Sequence, residues 1–328
     1  MLRNYYSMLL TGLIILFLAS NCGQRGNNDS VTEPQTWAEK LGFPSGKRVL
    51  IFHADDMGMC DEANEGTIFL MENNFIQSAS AMAPCPAYND AIEWAKANPD
   101  ADVGLHLTLT SEWRTHRWRT VADPDEVPGL IDPDGYMWRN VPAVVINATP
   151  EEVEKELRAQ IEMTLAMGYR PDHMDTHMGT LYASNDFTEI YLRLAEEYEI
   201  PAMVIDFSPE VVEEFKQSGY PITDRLINMI DNYSMPKLDY FSSVPKGSTY
   251  EELRDNFFGQ IRSLEPGLIE IIFHPQVESE VVKTITGSWQ QRAWEVELFA
   301  DPVVKQFFED EGLLFTNWRE IMERFRQI

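Results

Sequence analysis

The run Val49-Leu50-Ile51-Phe52 passes without a break into His53-Ala54-Asp55-Asp56, and this junction constrains the fold more than any other stretch of the chain. Four consecutive apolar residues describe a strand buried on both faces, as in parallel sheets covered by helices. Its C-terminal end meets three ionisable groups. Further strand patterns are expected at 78–83, 103–109, 173–177, 202–207, 238–244, 268–273 and 313–316, with helical patterns at 61–74, 87–98, 150–167, 186–198, 249–262 and 289–310. Strands alternating with helices imply parallel βα units. About seven or eight such units close most economically as an irregular, TIM-like (β/α) barrel, an α/β fold with its active site at the C-terminal strand ends. A doubly wound open sheet is the alternative, but no glycine-rich phosphate loop follows any strand.

One segment breaks the rhythm. Residues 110–148 hold Trp113, Arg114, Arg117, Trp118, Arg119, Trp138 and Arg139 among several prolines. Loops of this length in a compact domain are usually functional. Two readings stand: Trp113, Arg117 and Trp138 face a sugar, or the excursion is pinned to the surface by its own aromatics. The acidic run Glu151, Glu152, Glu154 and Glu156 reads as the first turn and solvated face of a helix.

The N-terminus is organised differently. Arg3 and an apolar run from Met8 to Ala19 form an export signal, too short for a comfortable membrane span. Leu18-Ala19-Ser20-Asn21-Cys22 is similar to a bacterial lipobox, although Asn21 is unusual there; lipidation at Cys22 is expected, with a simple cleaved signal as the other reading. The chain then divides into a leader (1–22), a flexible tether (23–46) and one catalytic barrel domain (47–328). The protein is expected to be exported, either periplasmic or anchored in the outer membrane, touching the membrane only through that lipid. Cys60 and Cys85 remain in the exported part, as a disulfide or as two buried thiols.

Charge narrows the partners. With 26 Lys+Arg against 53 Asp+Glu the formal net charge is −27, and no basic stripe exists to meet nucleic acid. The sequence leaves the oligomeric state open, a homodimer included.

Five of the six histidines fall at expected strand ends. Adjacent Asp55 and Asp56 at the end of an apolar strand need a compensating partner, and a divalent cation is the usual one. Alternation puts His106 on the same face as Gly104 and Thr108, and likewise groups His173, Asp175 and His177. Metal-bound histidines commonly hand their second nitrogen to a carboxylate, a role open to Asp175. His274 ends the strand at 268–273.

Taken in order, His53-Ala54-Asp55-Asp56-Met57-Gly58, Gly104-Leu105-His106-Leu107, His173-Met174-Asp175-Thr176-His177 and His274-Pro275 resemble the YdjC-like carbohydrate deacetylases. The resemblance covers roughly residues 47–320. It implies an irregular barrel hydrolysing the N-acetyl group of an N-acetylated sugar with a divalent metal, zinc or magnesium. By motif, Asp56, His106 and His177 would be the ligands, Asp55 the general base and His274 the acid. His53, His173 and Asp175 would support the centre or the substrate. Met178-Gly179-Thr180 departs from relatives that carry further histidines there. Two other readings stand beside this one: a metal-dependent phosphoesterase, and a glycan-binding surface lipoprotein with a vestigial metal site.

Overall fold

A computed structural model describes residues 35–217 and 222–328. The expected leader, Cys22 and the tether as far as residue 34 lie outside the described residues.

Seven strands are described: β1 (Arg48–Met57), β2 (Ser78–Ala81), β3 (Val103–Leu107), β4 (Met174–Thr176), β5 (Tyr240–Ser243), β6 (Gly267–Phe273) and β7 (Leu314–Phe315). They form one curled, wholly parallel sheet in the order β4-β3-β2-β1-β6-β5, with β7 beside the start of β1. The strand expected at 202–207 is reduced to two single-residue bridges, Met174↔Ala202 and Ile205↔Leu238. Each rests on a pair of backbone bonds, Met174 N to Pro201 O with Met203 N to Met174 O, and Leu238 N to Val204 O with Asp206 N to Leu238 O. These bridges link β4 to the residues entering β5, so the helix-covered α/β sheet curls toward the expected barrel.

Period-two alternation explains the layering. Leu50, Phe52 and Ala54 point outward into the main apolar cluster beneath the helices, where the Phe52 ring lies 4.9 Å from those of Phe299 and Phe308. Val49 and Ile51 point inward and plug the lower end of the sheet with Leu268 and Trp318. His53 and Asp55 continue this inner row, so one strand carries apolar residues at its base and chemistry at its top.

Three expectations need correcting. Trp37–Lys40 is a short helix rather than tether, because Thr36 and Glu39 form a capping box and Asp239 accepts from the backbone of Trp37 and Ala38. The helix expected over 289–310 is two, Trp289–Ala300 and Pro302–Asp310, since Asp301 caps the second and Pro302 cannot continue the first.

The third correction concerns Glu156, which is fully buried in the helix Pro150–Ala166. Its carboxylate accepts from the backbone of Val121 and Ala122 and from Gln160, tying the 110–148 excursion to the barrel. Burial pushes its pKa up to about 7, against these three donors. A carboxyl raised above its unfolded value of 4.5 binds its proton more tightly when folded. Its stabilising contribution is therefore whole below about pH 4.5 and lost as pH rises through about 7, up to about 3 kcal/mol. Urea unfolding at pH 5 and pH 8 is expected to show a larger loss for wild type than for Glu156→Gln; equal losses would remove Glu156 from the account.

Candidate metal centre

Alternation alone would turn Asp56 outward into the helix layer, away from Asp55. Instead the register of β1 against β2 slips between Ala54 and Met57, and Asp56 adopts φ 65°. This left-handed conformation costs on the order of 1 kcal/mol, and it brings both carboxylates to the inner face.

Asp56, His106 and His177 converge there, all buried. Asp56 Oδ1 lies 3.6 Å from His106 Nε2 and 3.3 Å from His177 Nδ1, and the two nitrogens are 3.2 Å apart. His106 comes from the end of β3, while His177 follows β4 at a turn where Met178 and Gly179 both take positive φ. Carboxylates behind the rings set the tautomers. Asp175 Oδ1 takes the His106 Nδ1 proton at 2.7 Å, and Glu112 faces His177 Nε2 at 3.1 Å. His106 Nε2 and His177 Nδ1 are then free to present lone pairs toward the same point as Asp56 Oδ1, a buried oxygen without a hydrogen-bond partner. Three converging lone pairs repel one another unless a cation joins them, and this cluster could hold a divalent one. Burial would lower the His177 pKa, but Glu112 and Asp56 push it up to about 10.

Asp56 Oδ2 accepts from Arg292 Nη1 at 2.8 Å. Burial alone would raise the Asp56 pKa, but Arg292, His177 and His274 hold it well below the usual carboxylate range. Asp55 flanks this triangle, and its Oδ1 is also buried without a hydrogen-bond partner. His274 Nε2 stands 3.7 Å from Asp55 Oδ2 on a side chain that is 36 % exposed, so it faces the open side.

The supporting residues divide. His53 lies below Asp55, its Nε2 3.2 Å from Asp55 Oδ1 and 2.9 Å from Asp175 Oδ2. His173 sits deeper, stacked on Trp318 with ring centroids 5.5 Å apart, which removes it from any substrate contact. Gly104 is needed above it, since a Cβ there would lie 2.4 Å from the His173 ring. Gly104→Ala is therefore expected to cost about 1–3 kcal/mol by overpacking, read from the urea midpoint.

Trp113 approaches the centre, 6.4 Å from the His177 ring and 5.6 Å from the Arg292 guanidinium. The polar atoms of Arg117 and Trp138 are engaged within the excursion itself. The Arg117 side chain is 6 % exposed and bonded to Asp132, Met137 O and Ser111, and Trp138 Nε1 donates to Gly129 O. Their polar atoms hold the excursion together. His116 bonds Met59 O, outside the centre. Cys60 and Cys85 are free, buried thiols.

Sequence reasoning missed Glu112, Arg292, Ser78 and Ser80. The serines were signalled by alternation in Ser78-Ala79-Ser80-Ala81; Arg292 was not, because 236 residues separate it from Asp56.

Comparison with known proteins fits this geometry. A carbohydrate deacetylase of Thermus thermophilus is 28 % identical over 291 residues, covering 87 % of this chain and 97 % of its own. One from Thermoanaerobacter pseudethanolicus is 26 % identical over 271 residues, 83 % and 98 % of the respective chains. The crystal structure of a candidate cellobiose-phosphate cleavage protein from Enterococcus faecalis V583 superposes with a TM-score of 0.68 at 25 % identity, covering 83 % of this chain and 98 % of the other. The profile of the YdjC-like proteins matches residues 49–310, nearly the whole described sheet with every residue of the centre, and the chain belongs to that family.

Proposed function

We propose that this protein hydrolyses the N-acetyl group of an amino sugar or N-acetylated oligosaccharide, using a divalent cation held by Asp56, His106 and His177. The observation that carries the reading is the convergence of three lone pairs beside a second carboxylate, Asp55, whose Oδ1 is buried without a hydrogen-bond partner. The carbohydrate deacetylases among its relatives support the substrate class.

A cation bound there supplies Lewis acidity, acidifying a water and polarising the amide carbonyl. Everything else falls to the side chains. Asp55 takes the proton of the attacking water, and its position beside the triangle places it for that transfer. His274, on the open side, delivers a proton to the nitrogen as the C–N bond breaks, so water and amide become acetate and a free amine. Arg292 keeps Asp56 ionised and aimed. Zinc is the favoured ion. Two imidazoles and one carboxylate would suit zinc, whereas magnesium prefers an all-oxygen donor set. A phosphoesterase would want a cation free to meet phosphate, but Arg292 is already paired with Asp56. The export signal and Cys22 support a site of action outside the cytoplasm.

Zinc-loaded protein is expected to release acetate from N-acetylglucosamine oligomers, to stop on chelation and to resume when zinc is returned. No acetate across a broad panel of acetylated glycans would overturn the proposal.

A further inference from the structure

His53 is not among the proposed ligands, yet the atoms within reach of its ring nitrogens are two serine hydroxyls and two carboxylates, with the His173 ring edge-on at 5.0 Å. Its Nδ1 lies 3.0 Å from Ser78 Oγ, and its Nε2 lies 3.1 Å from Ser80 Oγ. Each serine has one proton, and each has a closer carboxylate for it: Ser78 donates to Asp102 at 2.6 Å, and Ser80 to Asp175 at 2.7 Å. A carboxylate cannot return a proton. Both serines therefore turn lone pairs toward the imidazole, and both ring nitrogens must donate.

We infer that His53 is a fixed imidazolium inside the barrel, a positioning residue whose charge holds the Asp55 carboxylate in place and offsets Asp175 behind ligand His106. The inference rests on the deacetylase reading for its kinetic consequence, not for its protonation state. Its setting agrees. Asp55 Oδ1 and Asp175 Oδ2 lie 3.2 and 2.9 Å from Nε2 in a ring with no exposed surface. Burial alone would depress the His53 pKa, but Glu270, Asp175 and Asp55 raise it well above the usual value. Without this charge, Asp55 and Asp175 would crowd the interior with His53 contributing only a dipole, while Asp102 has His173 beside it at 3.4 Å. An unpaired buried carboxylate moves or takes up a proton. Asp55 can do neither and still accept the proton of water.

The test begins with the zinc-loaded full chain labelled with 15N-histidine at pH 7, the His53 resonances being those lost in His53→Gln. Two protonated ring nitrogens are expected; one protonated and one bare nitrogen would overturn the inference. Kinetics supply the second arm. Gln has nearly the reach of His but carries no charge, so His53→Gln is expected to lower kcat by about 10–100-fold, the usual effect of losing a supporting partner, with KM and bound zinc within about threefold. An unchanged kcat would make His53 a space filler. Should wild type release no acetate, the deacetylase reading fails, and the nitrogen spectrum still decides the charge of His53.

Discussion

In zinc-loaded protein, Asp55→Asn is expected to lower kcat for acetate release by about 10²–10⁴-fold, the usual contribution of a placed general base, while bound zinc stays near wild type. The substitution keeps size and shape but removes a carboxylate that stands outside the triangle and is not paired with Arg292. Its neighbours persist, because His53 is held by Ser78 and Ser80 and His274 by its own backbone bond to Glu295. The two adjacent aspartates should therefore separate in metal analysis as well as rate. Loss of zinc in Asp55→Asn would make Asp55 a ligand and refute its role as base.

Asp56→Ala should act more broadly. It removes a proposed ligand and strands the Arg292 guanidinium, whose side chain is only 10 % exposed. Breaking a buried pair from one side typically costs about 3–5 kcal/mol. Zinc binding, activity and urea stability are expected to fall together. Adding Arg292→Met should restore most of the stability and none of the zinc binding. If the double variant is no more stable than Asp56→Ala, the unpaired charge is not the cause.

What could be read in advance followed from periodicity. Alternation already placed His106 on one face with Gly104 and Thr108 and grouped His173, Asp175 and His177, and apolar runs located most of the strands within a few residues. The adjacency of Asp55 and Asp56 was plain, but not that both face inward, since this depends on a register slip and a positive φ that no pattern of residue types encodes. Glu156 was misread because its neighbours Glu151 and Glu154 are solvated, and only the arrival of the Val121–Ala122 backbone rewards burying it. The polar atoms of Arg117 and Trp138 turn into the excursion for a related reason: a long excursion must satisfy its own backbone and turns. Asp301-Pro302 was a legible helix boundary that the longer amphipathic pattern obscured.

The short helix Trp37–Lys40 gives the molecule a polarity. It docks where β5 and β6 begin, through Asp239, which also accepts from Leu268 N, whereas Asp55 and His274 lie where β1 and β6 end. The leash thus enters by the floor and the reaction takes place at the roof, roughly 20–25 Å higher at about 3.3 Å per strand residue. Were Cys22 lipidated, the chain would run to its anchor from the floor, leaving the open side of the centre clear of its own attachment.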